Sequence, residues 1–175
     1  FAKNFNLTGS ASVGLVSSLD ELKITSDSII PHVRTDIVDY LQESEKIGID
    51  RLQFNLFNSH SKNLYSKISF GLLEEMFGGY GGEFIYRPFD KNYSIGAELW
   101  HVKQRDYDML FKFRDYETVS GLININYHHP ESNVLVSIRG GRFLAKDSGI
   151  SVDFSKVFKT GLRIGAFAAK TDISK

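Results

Sequence analysis

From Arg51 onward the chain alternates apolar and polar residues, a period of two that a helix, repeating every ~3.6 residues, does not produce. In "GISVDFS", Ile150, Val152 and Phe154 fall on one side and Ser151, Asp153 and Ser155 on the other. "VSGLININYH" groups Val119, Gly121, Ile123, Ile125 and Tyr127 opposite Ser120, Leu122, Asn124, Asn126 and His128. "NVLVSIRGG" sets Val134, Val136 and Ile138 against Ser137 and Arg139, and "LRIGAFAA" sets Leu162, Ile164, Ala166 and Ala168 against Arg163 and Gly165. In "YSIGAELW", Tyr93, Ile95, Ala97 and Leu99 oppose Ser94, Gly96 and Glu98. Successive side chains of a strand point to opposite faces, so each run has one apolar and one polar face. The chain reads as all-β.

The links between these runs predict antiparallel hairpins. Short polar links at 58–62, 89–92, 129–132 and 158–161 suit tight turns, and the longer stretches "EEMFGGYGG", "KQRDYDMLFKFRDYE" and "LAKDSG" lie between them. Strands are expected at 51–57, 63–73, 83–88, 93–103, 116–128, 133–143, 149–157 and 162–171. The glycine-rich "FGGYGGEF" (77–84) is followed by a β-prone run ending in proline, with no helix to meet a phosphate and no Lys-Ser/Thr of a nucleotide loop. It reads as a flexible strand-to-strand link with Tyr80, flanked by two glycines on either side, folded toward a barrel mouth. Residues 1–50 read as an entry segment or first strands: "FNLTGSASVGLVSS" and "LKITSDSII" each suit a strand, and "TDIVDYLQESEK" carries Ile37, Tyr40 and Leu41 at helical spacing behind a Thr35 cap. Residues 51–175 carry the hairpins.

A two-faced strand must bury its apolar side against a second sheet or against lipid. Alternating link lengths, with Tyr86, Tyr93, Tyr127 and Phe158 beside the short turns and Trp100, Tyr107, Tyr116 and Phe143 toward the long ones, favour lipid. The expected fold is an antiparallel up-and-down transmembrane β-barrel of about 8–10 strands in this chain, alone or as part of a larger barrel. The alternative is a soluble β-sandwich that binds carbohydrate. The 21 basic and 21 acidic residues cancel, which gives no field for nucleic acid, and the absence of cysteine excludes disulfides and thiolate metal sites. The start at Phe1, without initiator Met or leader, reads as a processed chain or a piece of a longer one.

Catalytic, cofactor and metal sites are not expected. The five histidines (His32, His60, His101, His128, His129) are scattered, and adjacent His128 and His129 point to opposite faces of a strand. A membrane-embedded lipid- or glycan-modifying enzyme would need Ser94, Ser120 or Ser137 paired with His101 or His128, and no spacing motif fixes such a pair. The polar face offers Gln53, Asn55, Lys67, Asn124 and Asn126 together with charged residues. The candidate glycan-contacting or lumen residues are Tyr80, Glu83, Arg87, Glu98, Arg105, Asp106, Tyr107, Arg139, Asp153 and Arg163.

The blocks "VRTDIVDYL", "GLLEEMFGGYGGEFIYRPFD", "GAELWHVKQRDYDMLF" and "GRFLAKDSGISVDFSKVFKTGLRIGAFAAKTDIS" resemble, in the same order and over about 31–174, the YjbH/GfcD-type exopolysaccharide and capsule export family. The resemblance implies a non-catalytic barrel protein of the Gram-negative outer membrane. It would contact outer-membrane lipid and polysaccharide, and act with periplasmic or lipoprotein partners in secreting or assembling the polymer. It also implies that this chain corresponds to the barrel-forming later part of a protein several hundred residues long. No functional residue carries over from the family.

Overall fold

The computed structural model describes residues 4–14, 31–43 and 47–173. Nine strands follow in chain order: β1 (Phe5–Val13), β2 (Ile47–Ser59), β3 (Leu64–Leu72), β4 (Phe77–Tyr86), β5 (Tyr93–Arg105), β6 (Phe113–His129), β7 (Val134–Arg142), β8 (Ser148–Val157) and β9 (Arg163–Thr171). A short helix, α1 (Ile37–Glu43), lies between β1 and β2. All nine strands belong to one sheet in the order β1 to β9, so each strand pairs with its neighbours in sequence. The up-and-down antiparallel sheet is therefore present. The expected barrel closure is not: among the described residues β1 and β9 are the two edges of the sheet and do not pair with each other.

The segment "FNLTGSASV" forms β1, as its β-prone sequence suggested, while "LKITSDSII" lies outside the described residues. The helix begins after Asp36 and not behind Thr35, because the Asp36 carbonyl takes the first turn's amides from Asp39 and Tyr40.

The glycine block is the main departure from the expected strand pattern. It is not a loop but the first half of β4, which starts at Phe77. A side chain at Gly78 would meet the Phe113 ring at 2.8 Å, and one at Gly79 would meet the His101 carbonyl oxygen at 2.1 Å. Glycine here lets neighbouring groups approach more closely than any Cβ allows. With β4, β5 and β6 longer than expected, the long links shrink to 73–76, 106–112 and 143–147, comparable with 60–63, 87–92, 130–133 and 158–162. The alternation of link lengths disappears, except for the connection from β1 to β2.

The chain divides into two compact units. The first comprises 1–56, 68–81 and 100–119, and holds the apolar core: Val38, Tyr40, Leu72, Met76, Phe77, Val102 and Met109. The second comprises 57–67, 82–99 and 120–175. There the registers of β6 to β9 line up residues in rows across four strands. Ile125, Ile138, Val152 and Ala168 form one row, and Asn126, Ser137, Asp153 and Phe167 form the next, on the opposite face.

Burial in β6 and β8 is inverted relative to a water-soluble sheet, while β9 is exposed on both faces. Ile123 is 60% exposed and Ile125 is 44% exposed, while Asn124 and Asn126 between them are half-buried. Ser120 and Ser155 are buried, whereas Phe154, Ile150 and Ile164 are exposed.

Candidate functional site

The polar face of the second unit builds its surface from side-chain hydrogen bonds. Asn126 donates to Ser94 Oγ and to Asn124 Oδ1, each at 3.3 Å, and accepts from Ser137 Oγ at 2.7 Å. Asn124 lies over Gly96, where a Cβ would meet its Oδ1 at 2.6 Å, so the missing side chain makes room for the amide. Farther along, Arg163 Nε donates to Ser155 Oγ at 3.0 Å and its Nη2 lies 3.9 Å from Asp153 Oδ1.

This network floors a cavity of about 780 Å³. Ser94, Asn126, Ser137 and Ser151 supply hydroxyls and an amide, the 87–92 turn brings Arg87, Phe89 and Lys91, and Arg139, Asp153, Arg163 and Phe167 complete the lining. Four of the predicted residues, Arg87, Arg139, Asp153 and Arg163, thus meet at one site. Phe167 was missed. It lies in register with Asp153 on the polar face and is 80% exposed, and the alternation "GAFAA" could have placed it there.

Glu83 and Glu98 line a second hollow of about 290 Å³ in the same unit. Glu83 pairs there with Lys67 at 2.7 Å. Tyr80, in the first unit, is 60% exposed and stacks on the His101 ring, with centroids 5.2 Å apart.

Arg105, Asp106 and Tyr107 belong to a cluster in the first unit. Arg105 is fully buried, and its guanidinium donates to the carbonyls of Asp50, Glu74, Ile49, Met109 and Leu110. Tyr40 of α1 donates its hydroxyl to the Arg105 carbonyl and meets the Tyr107 ring edge-on at 5.0 Å. Arg114 lies 4.2 Å from the centre of the Tyr107 ring and 3.8 Å from Asp106. Asp36 accepts from Gln104 Nε2 at 3.0 Å, and Arg34 pairs with Glu74 at 2.9 Å. Tyr107 and Tyr116, which stacks edge-on against Phe77, therefore pack inside this unit and do not join an exposed aromatic girdle.

Burial pushes the Tyr40 hydroxyl up to about 12. Burial, and after it the charge of Asp36, pushes Tyr107 up to about 12 as well. Tyr40 and Tyr107 are therefore expected to ionise late when phenolate absorbance is followed against pH, with Tyr40→Phe and Tyr107→Phe each removing one late step. Both folded values lie above the unfolded 10.0, so the stability they contribute is complete below pH 10 and is lost as pH rises toward about 12.

Among the described residues no group of three or more His, Asp or Glu side chains is arranged to hold a metal. Ser94 and Ser137 bond to Asn126, and Ser120 bonds to the Arg142 carbonyl. The serine–histidine contacts occur elsewhere, between His60 and Ser66 at 2.8 Å and between His129 and Ser132 at 3.0 Å. Neither involves a serine or histidine of the expected pairs. No described helix is long and apolar enough to cross a membrane, which says nothing of crossing by strands.

The described strands define an all-β protein of the antiparallel up-and-down class, in which β6 and β8 expose isoleucine and phenylalanine on one face and draw asparagine and serine inward on the other. The chain belongs to the YjbH family, described as "Exopolysaccharide biosynthesis protein YbjH", which matches residues 1–175. It is 36% identical over 177 residues to the "Uncharacterized lipoprotein YjbH" of Escherichia coli (strain K12). That alignment takes in 96% of this chain and 25% of the relative, so the chain spans about a quarter of the relative's length. No solved structure matches.

Proposed function

We infer that this chain is the membrane-spanning section of a non-catalytic outer-membrane component that secretes or assembles exopolysaccharide. The observation that carries the reading is the inverted burial of β6 and β8, with Ile123, Ile125, Ile150 and Phe154 outward and Ser120, Asn124, Asn126 and Ser155 inward. In water such a face would be covered by another layer, whereas lipid solvates it without one. Strand lengths support the same reading: β3, β7 and β9 have 9 residues and β4 and β8 have 10, against the ~9–11 that cross a bilayer. Tyr86, Tyr93, Tyr127 and Phe158, each between 37% and 45% exposed beside the turns, suit an interfacial belt.

The family supplies the polymer, and a relative named as a lipoprotein fits a place in the cell envelope. On this reading the apolar face meets outer-membrane lipid, the polar face meets the polysaccharide, and the rest of the protein meets periplasmic or lipoprotein partners. Arg87, Arg139, Asp153 and Arg163 are the glycan-facing residues, while Arg105 holds one end of the sheet together.

The full-length protein should stay in the outer-membrane fraction through urea and carbonate washes, leave it only with detergent, and migrate differently in gels before and after boiling. Release by the washes together with identical mobilities would overturn the reading.

A further inference from the structure

We propose that the polar-face cavity binds an acidic stretch of the glycan, with Arg87 and Arg139 receiving its carboxylate or phosphate groups. The proposal rests on the polysaccharide reading above and narrows its substrate class. The cavity is lined by four cationic side chains, Arg87, Lys91, Arg139 and Arg163, against the single carboxylate of Asp153. Because the chain's 21 basic and 21 acidic residues balance, this is a local excess of positive charge and not a reflection of the composition.

Two of the cations are already engaged. Arg163 is held by Ser155 and Asp153, and Lys91 lies 3.5 Å from Asp90. Arg87 and Arg139 are different: among the described residues, neither guanidinium has an ion-pair or hydrogen-bond partner. Arg139 stands in register between Asn124 and Ser151, whose short polar side chains leave its charge unneutralised.

A planar guanidinium offers paired N–H donors that match a carboxylate or phosphate, so two free ones in one concavity select for anionic groups. The rest of the lining suits a sugar. Ser94, Asn126, Ser137 and Ser151 can exchange hydrogen bonds with hydroxyls, and the exposed Phe167 ring offers an apolar face beside Asp153. An anionic lipid would present similar charges. Its acyl chains, however, would have to lie along the polar face and away from the apolar row of Ile125, Ile138 and Val152.

The test is calorimetric titration of the full-length protein in neutral detergent with pentagalacturonate, with maltopentaose, and with micelles doped with phosphatidylglycerol. Pentagalacturonate should bind, with an affinity that falls as salt rises, and maltopentaose should bind about tenfold or more weakly. The Arg87→Gln/Arg139→Gln double variant should lose about tenfold or more of the pentagalacturonate affinity. Its heat-dependent gel mobility should stay normal, which shows the fold intact. Equal binding of the two oligosaccharides, an unchanged double variant, no binding by protein that still shows the mobility shift, or displacement of pentagalacturonate by the doped micelles would each overturn the proposal. All four outcomes leave the membrane reading standing, and that reading fails only by its own fractionation test.

Discussion

Ile138→Arg should destabilise the membrane-inserted protein by ~2–4 kcal/mol, the cost of an arginine on the lipid face near the middle of a spanning strand. Ile138 is the fifth residue of the strand Val134–Arg142 and stands in the row Ile125–Ile138–Val152–Ala168. It is 38% exposed, so it is not fully covered by the described residues. The same substitution separates the two environments open to an exposed isoleucine. On a water-facing surface it would change stability by about 0.5 kcal/mol or less, because arginine there is solvated. The control is Ser137→Lys, one residue away on the polar face and in register with Asp153, which should cost about 1 kcal/mol at most. Urea titration of folding into lipid vesicles, followed by the gel-mobility shift, measures both. Equal and small effects at Ile138 and Ser137 would mean that the apolar face does not meet lipid.

The sequence made the lipid-facing question legible because alternation survives wherever side chains carry contrast. The expected 149–157 and 162–171 became Ser148–Val157 and Arg163–Thr171. Contrast vanishes in "FGGYGGEF", where glycine is neither apolar nor polar, and the strand there is set by what presses on it, the Phe113 ring and the His101 carbonyl. The cavity was half legible. Arg87, Arg139, Asp153 and Arg163 followed from strand parity, whereas Phe89 and Lys91 come from the 87–92 turn, where parity gives no face. Arg105 was legible only as a charge near a link. Its partners are backbone carbonyls, which every residue possesses, so no residue type in the sequence announces the site.

That backbone cage makes Arg105→Met the second large effect. The guanidinium joins three segments at once: Ile49 and Asp50 at the start of β2, Glu74 in the 73–76 turn, and Met109 and Leu110 in the 106–112 turn. Met109 contributes a left-handed backbone (φ 50), and its carbonyl also accepts from the Ile49 amide, which ties the turn to β2. Methionine would fill similar space and supply no donor. Several buried carbonyls would then be left short of hydrogen bonds, at ~1–3 kcal/mol for each group that water does not reach. We expect ~3–5 kcal/mol in total, since relaxation lets water reach some of them. Arg105→Lys should recover only part of this, because one ammonium with three donors cannot span acceptors on both flanks of a planar fork. The loss should be local. Proteolysis within 106–112 and amide exchange in α1, whose Tyr40 hydroxyl bonds the Arg105 carbonyl, should both accelerate, while exchange in β7 and β8 stays slow. An Arg105→Met protein with unchanged protection in α1 would show that the cage is incidental to the stability of this end of the sheet.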